Sequence, residues 1–209
     1  MKALIYKDLL AIWKYCRTFI LMCAVFLAAS VFVEEYGFMQ TYPVVFMGML
    51  VNTLIAYDER DKWDRQVLAM PITRRQYVTS KYLVGLMLQG LVLVLTGVAC
   101  ALRLVRGGGF QWESFWMEMD VLLVLACLAP SLILPFIFKN GSEKGRMAYI
   151  IIIGCLLGLA VALSHILNRL NLMQTQMDLP GGPLLLVLTA AIYVGSWALS
   201  VRWYEKREF

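Results

Sequence analysis

Charged side chains concentrate in one segment of an otherwise apolar chain, residues 57–82, which we call the charged segment. It holds ten charged residues: Asp58, Glu59, Arg60, Asp61, Lys62, Asp64, Arg65, Arg74, Arg75 and Lys81. A charge at the centre of a bilayer costs about 2.5–3.5 kcal/mol on insertion scales. A segment this rich in charge is therefore predicted to lie in water, where it offers ionic and hydrogen-bonding contacts to another surface.

Catalysis and metal binding have no comparable support in the sequence. No nucleophile, base and orienting residue occur together in a recognisable motif, and no Walker-type nucleotide sequence is present. His165 is the one histidine, and the five cysteines lie in or beside apolar runs without a C-x-x-C pair. We therefore expect no catalytic, cofactor-binding or metal-binding residue on this chain.

The first half of the charged segment has the pattern of a short amphipathic helix, over residues 59–70. Trp63, Val67 and Met70 recur on one face of this helix. Acid-to-base pairs at i, i+4, from Asp58 to Lys62 and from Asp61 to Arg65, would support it.

A proline corner and a second helix are predicted to follow. Pro71 ends the short helix, and Thr73 to Gln76 has the pattern of a capping box. A new helix should start at about Arg74 and continue into the membrane.

The rest of the sequence predicts an all-α polytopic membrane protein with a single transmembrane domain, residues 1–209. Of the 209 residues 61% are hydrophobic, and the mean hydropathy is +0.71. A helical span needs about 20 apolar residues. The expected spans cover about 18–34, 41–57, 82–102, 116–138, 147–167 and 183–201.

An amphipathic helix over residues 2–16 is expected to precede the spans and to lie in the plane of the headgroups. Its apolar face would carry Ile5, Leu9, Ile12, Trp13 and Cys16. The alternative is that these residues are only the solvent-exposed beginning of the first span.

The distribution of basic residues predicts the orientation. Of 19 Lys and Arg residues, only Arg103, Arg106 and Arg169 fall on the side opposite the termini. This bias places both termini and the charged segment in the cytoplasm. It also accounts for the net charge of +5, so the expected partner is the lipid bilayer and no nucleic acid is expected.

Polar residues inside the spans have two interpretations. They would line a translocation path, or they would bond between helices. The residues concerned are Asn52, Gln89, Thr96, Thr189, Tyr193, Ser196 and Ser200. At the outer end, Glu118 and Asp120 are expected to face Arg103 and Arg106.

Four sequence segments resemble a known family. They are Y-D-E-R-D-K-W-D at 57–64, M-P-I-T-R-R-Q-Y-V at 70–78, S-K-Y-L at 80–83, and L-P-F-I-F-K-N-G-S-E-K-G-R at 134–146. They resemble the permease subunits of ABC-2 exporters. More narrowly, they are similar to the small six-span permeases of bacitracin-resistance and phenol-soluble-modulin exporters.

The resemblance implies a coupling helix that sits in a groove of a separate ATPase subunit. By position it would be Asp61 to Met70, with Trp63, Val67 and Met70 facing the ATPase and Arg74 and Arg75 anchoring the elbow at the membrane surface. The residues expected to couple to the ATPase are Asp58, Glu59, Asp61, Lys62, Trp63, Asp64, Val67, Met70, Arg74 and Arg75.

The same resemblance implies the rest of the assembly. Two ATPase copies would bind ATP and Mg, and a second permease chain, identical or related, would complete the unit in a bacterial cytoplasmic membrane. Gly154, Gly158 and Ala162 form a small-residue face. This face would contact the second permease chain or pack within this one. The implied activity is export of an amphipathic or hydrophobic substrate, for example an antimicrobial peptide.

The rival interpretations are a polytopic protein that works without an ATPase, as a secondary carrier or a peptide-immunity protein, and a membrane enzyme. The absent catalytic set disfavours the enzyme. A carrier should have a deeply buried charged pair or an inverted repeat. Neither is evident in the sequence.

Overall fold

The computed structural model describes residues 2–33, 36–68, 72–106, 112–145, 147, 151, 154–155, 158 and 182–206. Within these residues the chain is helical, without strands. The helices are α1 (Lys2–Tyr15), α2 (Arg17–Ser30), α3 (Tyr36–Arg60), α4 (Trp63–Leu68), α5 (Arg74–Arg106), α6 (Trp112–Asn140) and α7 (Gly182–Glu205).

Four segments are long and apolar enough to cross a bilayer. They are Gly37–Arg60, Arg74–Arg106, Glu118–Asn140 and Leu186–Glu205. Helices α1 and α2 give a fifth candidate, bent by 74°. The prediction of an all-α polytopic membrane protein is therefore confirmed. The expected fifth span, over about 147–167, falls mostly outside the described residues, so the number of six spans stays a prediction.

The bend between α1 and α2 lies at Cys16, which takes a non-helical conformation with φ −112° and ψ 10°. With 14 residues, α2 is about 21 Å long, less than the roughly 30 Å of a bilayer core. A sharp turn followed by a membrane-directed helix agrees with an in-plane α1. The position of α1 relative to a bilayer stays a prediction.

The prediction of which residues form the apolar face of α1 was wrong in part. The face that packs against the protein carries Leu4, Asp8, Ile12 and Cys16, each no more than 5% exposed. Of the residues assigned to one lipid-facing side, Ile12 and Cys16 are in the core, while Leu9 and Trp13 are exposed. Helix α1 has two apolar sides, and the sequence period does not say which one the chain itself covers.

Helices α3, α5, α6 and α7 form the central bundle. Helix α6 packs most extensively on α7, and α3 contacts α2, α5 and α6. Valines and other branched residues fill the interior, among them Val44 and Val51 of α3, Val84 and Val92 of α5, and Ile137 of α6. This bundle provides the frame on which the charged segment is mounted.

The predicted capping box is confirmed. The Thr73 amide donates to Gln76 Oε1 at 3.2 Å, and the Gln76 amide donates to Thr73 Oγ1 at 3.3 Å. Two amides at the start of α5 are thus satisfied reciprocally. Helix α5 begins at Arg74, so the start of α5 is fixed by local hydrogen bonds.

Candidate functional site

The charged segment is divided differently from the prediction. Helix α3 continues to Arg60, and α4 is limited to Trp63–Leu68. Lys62 between them has a left-handed backbone with φ 53°, as residues that end helices often do. The predicted i, i+4 pair of Asp58 with Lys62 was therefore wrong, because the two residues do not share one helix.

Asp58 belongs instead to a buried group that we call the ion cluster: Lys7, Asp8, Asp58 and Lys81. Lys81 Nζ lies 2.8 and 2.9 Å from the two carboxylate oxygens of Asp8 and 2.5 Å from Asp58 Oδ2. The side chains of Lys81 and Asp8 are each 1% exposed. Lys81 thus joins α1 to α3 from its place on α5.

Lys7 and Tyr77 complete the bonding of the ion cluster. Lys7 Nζ lies 2.7 Å from Asp58 Oδ1 and 3.3 Å from Asp8 Oδ1. The Tyr77 hydroxyl donates to Asp58 Oδ2 at 3.1 Å. The cluster contains two cations and two anions, and every charge has an opposite partner. Buried charges persist under these conditions, because pairing and hydrogen bonds offset their desolvation.

The ion cluster also holds α4. Lys7 Nζ lies 4.4 Å from the centroid of the Trp63 ring, a cation–π contact. Trp63 packs against the core, and Val67 is 2% exposed within it. Val67 therefore does not face a partner, contrary to the orientation expected for it. At Trp63 and Val67, the described residues of this apolar face, the chain itself covers α4.

The exposed residues of this region are different ones. Asp61, Lys62 and Gln66 are exposed to solvent. Met70 and the side chain of Asp64 lie outside the described residues.

The two arginines at the start of α5 contact α7. Arg74 donates to the carbonyls of Glu205 at 2.7 Å and Tyr204 at 3.4 Å, where the carbonyl end of a helix attracts a cation. The Arg75 guanidinium lies 5.2 Å from the Trp197 ring. Both arginines thus attach the start of α5 to α7. The expected anchoring of the elbow at the membrane surface stays a prediction.

Tyr77 extends this attachment from the ion cluster to the last helix. Its ring stacks on Tyr204 with centroids 5.5 Å apart, and Tyr204 also meets Phe138 of α6 edge to face at 5.4 Å. Tyr77 therefore links the carboxylate of Asp58 to α7, and Tyr204 continues the link to α6.

The other end of α5 carries a second ion pair, which we call the distal pair: Arg103 and Glu118. Arg103 Nη2 lies 2.5 Å from Glu118 Oε1, which confirms that these two residues face each other. The Cys100 thiol donates to Glu118 Oε2 at 2.9 Å. Arg106 instead lies over the Phe32 ring, 4.7 Å from its centroid.

Most of the polar residues considered for a path make hydrogen bonds within the protein. Thr96 and Thr189 donate to backbone carbonyls of their own helices. Tyr193 donates to the Tyr82 carbonyl at 2.9 Å, and Ser196 donates to the Ser131 carbonyl at 2.6 Å. The Tyr82 hydroxyl in turn contacts Ser196 and Ser200 at 2.8 and 2.7 Å. The bonds of Tyr82, Tyr193 and Ser196 hold α5, α6 and α7 together.

Asn52 and Gln89 differ from the other polar residues. Gln89 donates to the Val44 carbonyl at 3.3 Å, beside Gly48, where a Cβ would lie 3.0 Å from Gln89 Nε2. Asn52 Oδ1 and Gln89 Oε1 are buried and have no hydrogen-bond partner among the described residues. Within the described part of the chain, these two oxygens thus have no donor in the bundle interior.

The small-residue face is described at two of its three positions. Gly154 and Gly158 are exposed, and no described atom lies within 4 Å of a Cβ built on either. Ala162 lies outside the described residues.

The sequence analysis missed the buried charges, although a signal was present. Asp8 lies between Leu4 and Ile12 on one helical face, and Lys81 lies between Tyr77 and Val84 on another. A single charge within an apolar stripe predicts a buried partner on another element. Because Asp8 and Lys81 have opposite charges, the sequence could have predicted that they pair with each other.

These features define a multi-pass membrane protein with a charged, multiply anchored segment at one end of its bundle. A family model described as ABC-2 family transporter protein matches residues 3–205. The chain therefore belongs to the ABC-2 transporter family, as a permease component of an ABC transporter. Comparison with curated proteins returns no match.

Proposed function

We propose that this chain is the permease of an ATP-driven exporter and that α4 is its coupling helix. ATP and Mg would be bound by two copies of a separate ABC ATPase subunit, and a second permease chain, identical or related, would complete the unit. The substrate class is amphipathic or hydrophobic, for example an amphipathic peptide leaving a bacterial cytoplasm through its inner membrane.

The observation that carries this proposal is the attachment of the buried side of α4, and of the start of α5, to the rest of the permease. Lys7 joins Trp63 to the ion cluster, and Val67 fixes α4 to the core. Arg74 and Tyr77, just beyond α4, attach to the end of α7. A force applied to α4 is thereby passed to α1, α3, α5 and α7 together, as a coupling element requires.

The side of α4 that meets the ATPase follows from burial. Trp63 and Val67 hold the helix on the permease, so the contact falls to the exposed residues, among them Asp61, Lys62 and Gln66. Glu59 connects the end of α3 to the segment after α6, because its carboxylate accepts a hydrogen bond from the Ser142 amide at 2.7 Å.

The buried charges do not favour a secondary carrier, although the sequence had suggested that no buried pair exists. Lys81 and Arg103 are both on α5, about 33 Å apart along the axis at 1.5 Å per residue. This separation is close to the roughly 30 Å of a bilayer core. The ion cluster and the distal pair thus fit the two boundaries of the membrane, whereas carrier coupling sites lie near the midplane.

Asn52 and Gln89 are the path residues that this proposal retains. An unpaired acceptor inside a membrane costs free energy unless water or a solute reaches it. Gly154 and Gly158 remain the proposed contact with the second permease chain, because small exposed residues allow close approach of helices.

The test is purification of the tagged chain from its native membranes, with each co-purifying protein identified by mass spectrometry. We expect one ATPase polypeptide bearing a Walker motif per permease chain, together with ATP hydrolysis. Gln66→Arg should reduce both, because it places a bulky cation on the exposed side of α4. Glu113→Arg, an exposed change at the start of α6, should reduce neither.

A chain that purifies without any ATPase, or a Gln66→Arg variant that keeps full ATPase binding and hydrolysis, would contradict the proposal. Gln66 is a better test position than Trp63, because replacing Trp63 also removes its contacts with Lys7 and the core.

A further inference from the structure

Three residues near the start of α5 and the end of α7 hold one another in place, and we call them the Arg75 unit: Arg75, Thr79 and Trp197. The Arg75 guanidinium lies 5.2 Å from the centroid of the Trp197 ring. The Trp197 indole donates to Thr79 Oγ1 at 3.1 Å, and the Thr79 hydroxyl donates to the Arg75 carbonyl at 2.7 Å. The position of the guanidinium is therefore preorganised by contacts across two helices.

The positive charge of the Arg75 unit has no anionic partner in the part of the chain that the structure describes. Arg75 is exposed and makes no ion pair there. Its neighbour Arg74, by contrast, donates to backbone carbonyls at the end of α7. An aromatic ring attracts a guanidinium but supplies no oxygen acceptor for its N–H donors. These donors match the geometry of a phosphate, which they can bind with two parallel hydrogen bonds.

The Arg75 unit lies at the depth of lipid headgroups. Thr79 is two residues from Lys81, about 3 Å along α5, and the ion cluster that contains Lys81 fits one boundary of the bilayer core. The headgroup region on each side of this core is about 5–7 Å thick. A second cation–aromatic contact near this end joins Lys139 of α6 to the Trp203 ring of α7 at 4.7 Å, and tryptophan and basic residues favour this depth.

The surface next to the Arg75 unit is apolar. Leu83 and Leu86 follow Thr79 on the same side of α5, by one and two helical turns, and are 38% and 44% exposed. On α7, Val194 lies one turn before Trp197 and is 60% exposed. Because α5 begins and α7 ends on this side of the bundle, both apolar stripes lead from the Arg75 unit toward the bilayer interior.

We propose that the Arg75 unit binds the headgroup of one anionic phospholipid, in the leaflet at the α4 end of the bundle. The lipid phosphate would accept hydrogen bonds from Arg75, and the acyl chains would lie along Leu83, Leu86 and Val194. Such a lipid supplies both an oxyanion for the guanidinium and apolar chains for the two stripes, whereas a soluble anion supplies only the first. The site does not need an ATPase partner, so it is independent of the proposed function.

The experiment measures thermal unfolding of the permease, as purified from its membranes, in dodecyl maltoside micelles titrated with dioleoyl phosphatidylglycerol. The readout is the half-saturating lipid concentration. Loss of the contact with Trp197 would lower the unfolding temperature without lipid but would not by itself change this concentration. Arg75→Gln should raise the half-saturating concentration about fivefold. Arg75→Lys should raise it less, because it keeps the charge but loses the planar set of donors.

The matched control is Arg202→Gln. Arg202 is also exposed and lies in the last turn of α7, about 140° around that helix from Trp197 at 3.6 residues per turn. Its replacement should leave the half-saturating concentration unchanged. With the unaltered chain, dioleoyl phosphatidylcholine should require a higher concentration than the anionic lipid, and soluble glycerol phosphate should not stabilise the protein in the same range.

Several results would overturn the lipid site. One is an unchanged half-saturating concentration in Arg75→Gln, and another is an equal rise in Arg75→Gln and Arg202→Gln, which indicates only general attraction. Equal half-saturation by the two lipids would contradict the preference for an anionic headgroup. Stabilisation by glycerol phosphate at the concentration of the lipid would show that a soluble anion is sufficient. None of these results depends on ATPase binding, so failure of the site and failure of the proposed function are distinguishable.

Discussion

The two ends of α5 hold their charges in contrasting ways. At the α4 end, Lys81 is 1% exposed and is bonded to two carboxylates on two other helices. At the other end, Arg103 and Glu118 are 16% and 22% exposed and join α5 to α6. The same helix thus has a buried connection to α1 and α3 at one end and a partly exposed connection to α6 at the other.

This contrast indicates at which end of α5 the helices are hard to separate and at which end they separate more easily. A buried charge that loses its partner is left in a poorly polarisable interior, so separation of the ion cluster is costly. Water and salt can replace the partner of a partly exposed charge, so separation of the distal pair costs less. An exporter of the proposed kind needs this combination, a stiff end that receives force and an end that can open.

The largest effect is expected for Lys81→Met. It leaves Lys7 to balance both Asp8 and Asp58, and breaking a buried pair in this way costs about 3–5 kcal/mol of unfolding free energy. The measurement is equilibrium unfolding in mixed detergent micelles.

The matched control is the double variant Lys81→Met with Asp8→Asn. It keeps Lys7 paired with Asp58 and restores charge balance, so it should be more stable than Lys81→Met alone. A double variant that is less stable than the single one would show that packing, and not charge, dominates at the α4 end.

A smaller effect is expected for Arg103→Met. Glu118 would lose its cation but keep its contact with the Cys100 thiol and partial access to water. We expect a loss of about 1–2 kcal/mol in the same unfolding experiment. A loss as large as that of Lys81→Met would break the contrast between the two ends of α5.

Local patterns in the sequence were reliable where the interaction was itself local. Thr73 and Gln76 are three residues apart, and their capping box and the start of α5 are found as predicted. The all-helical, multi-pass fold likewise follows from apolar runs, because each run satisfies its own backbone hydrogen bonds.

Long-range partners were not predictable in the same way. Asp8 and Lys81 are far apart in sequence, so no local pattern joins them. Val67 lies on an apolar face of a helix, and the amphipathic pattern does not say whether a partner or the chain itself covers that face. An amphipathic period shows that a face is covered, but not what covers it. Val67 is covered by the core of the chain itself. The proposed ATPase contact therefore lies on the opposite side of α4.

The most direct test of the account is a pair of distance measurements between spin labels in the assembled transporter, before and after ATP is trapped with vanadate. One pair of labels is placed at Leu10 of α1 and Gln66 of α4, and the other at Leu102 of α5 and Trp116 of α6. All four positions are exposed. The background carries Cys155→Ser, because Cys155 is the exposed cysteine.

If the ion cluster makes α1 and α4 move as one body, the Leu10–Gln66 distance stays constant while the Leu102–Trp116 distance changes. A Leu10–Gln66 distance that changes while the distal labels stay fixed would contradict the account.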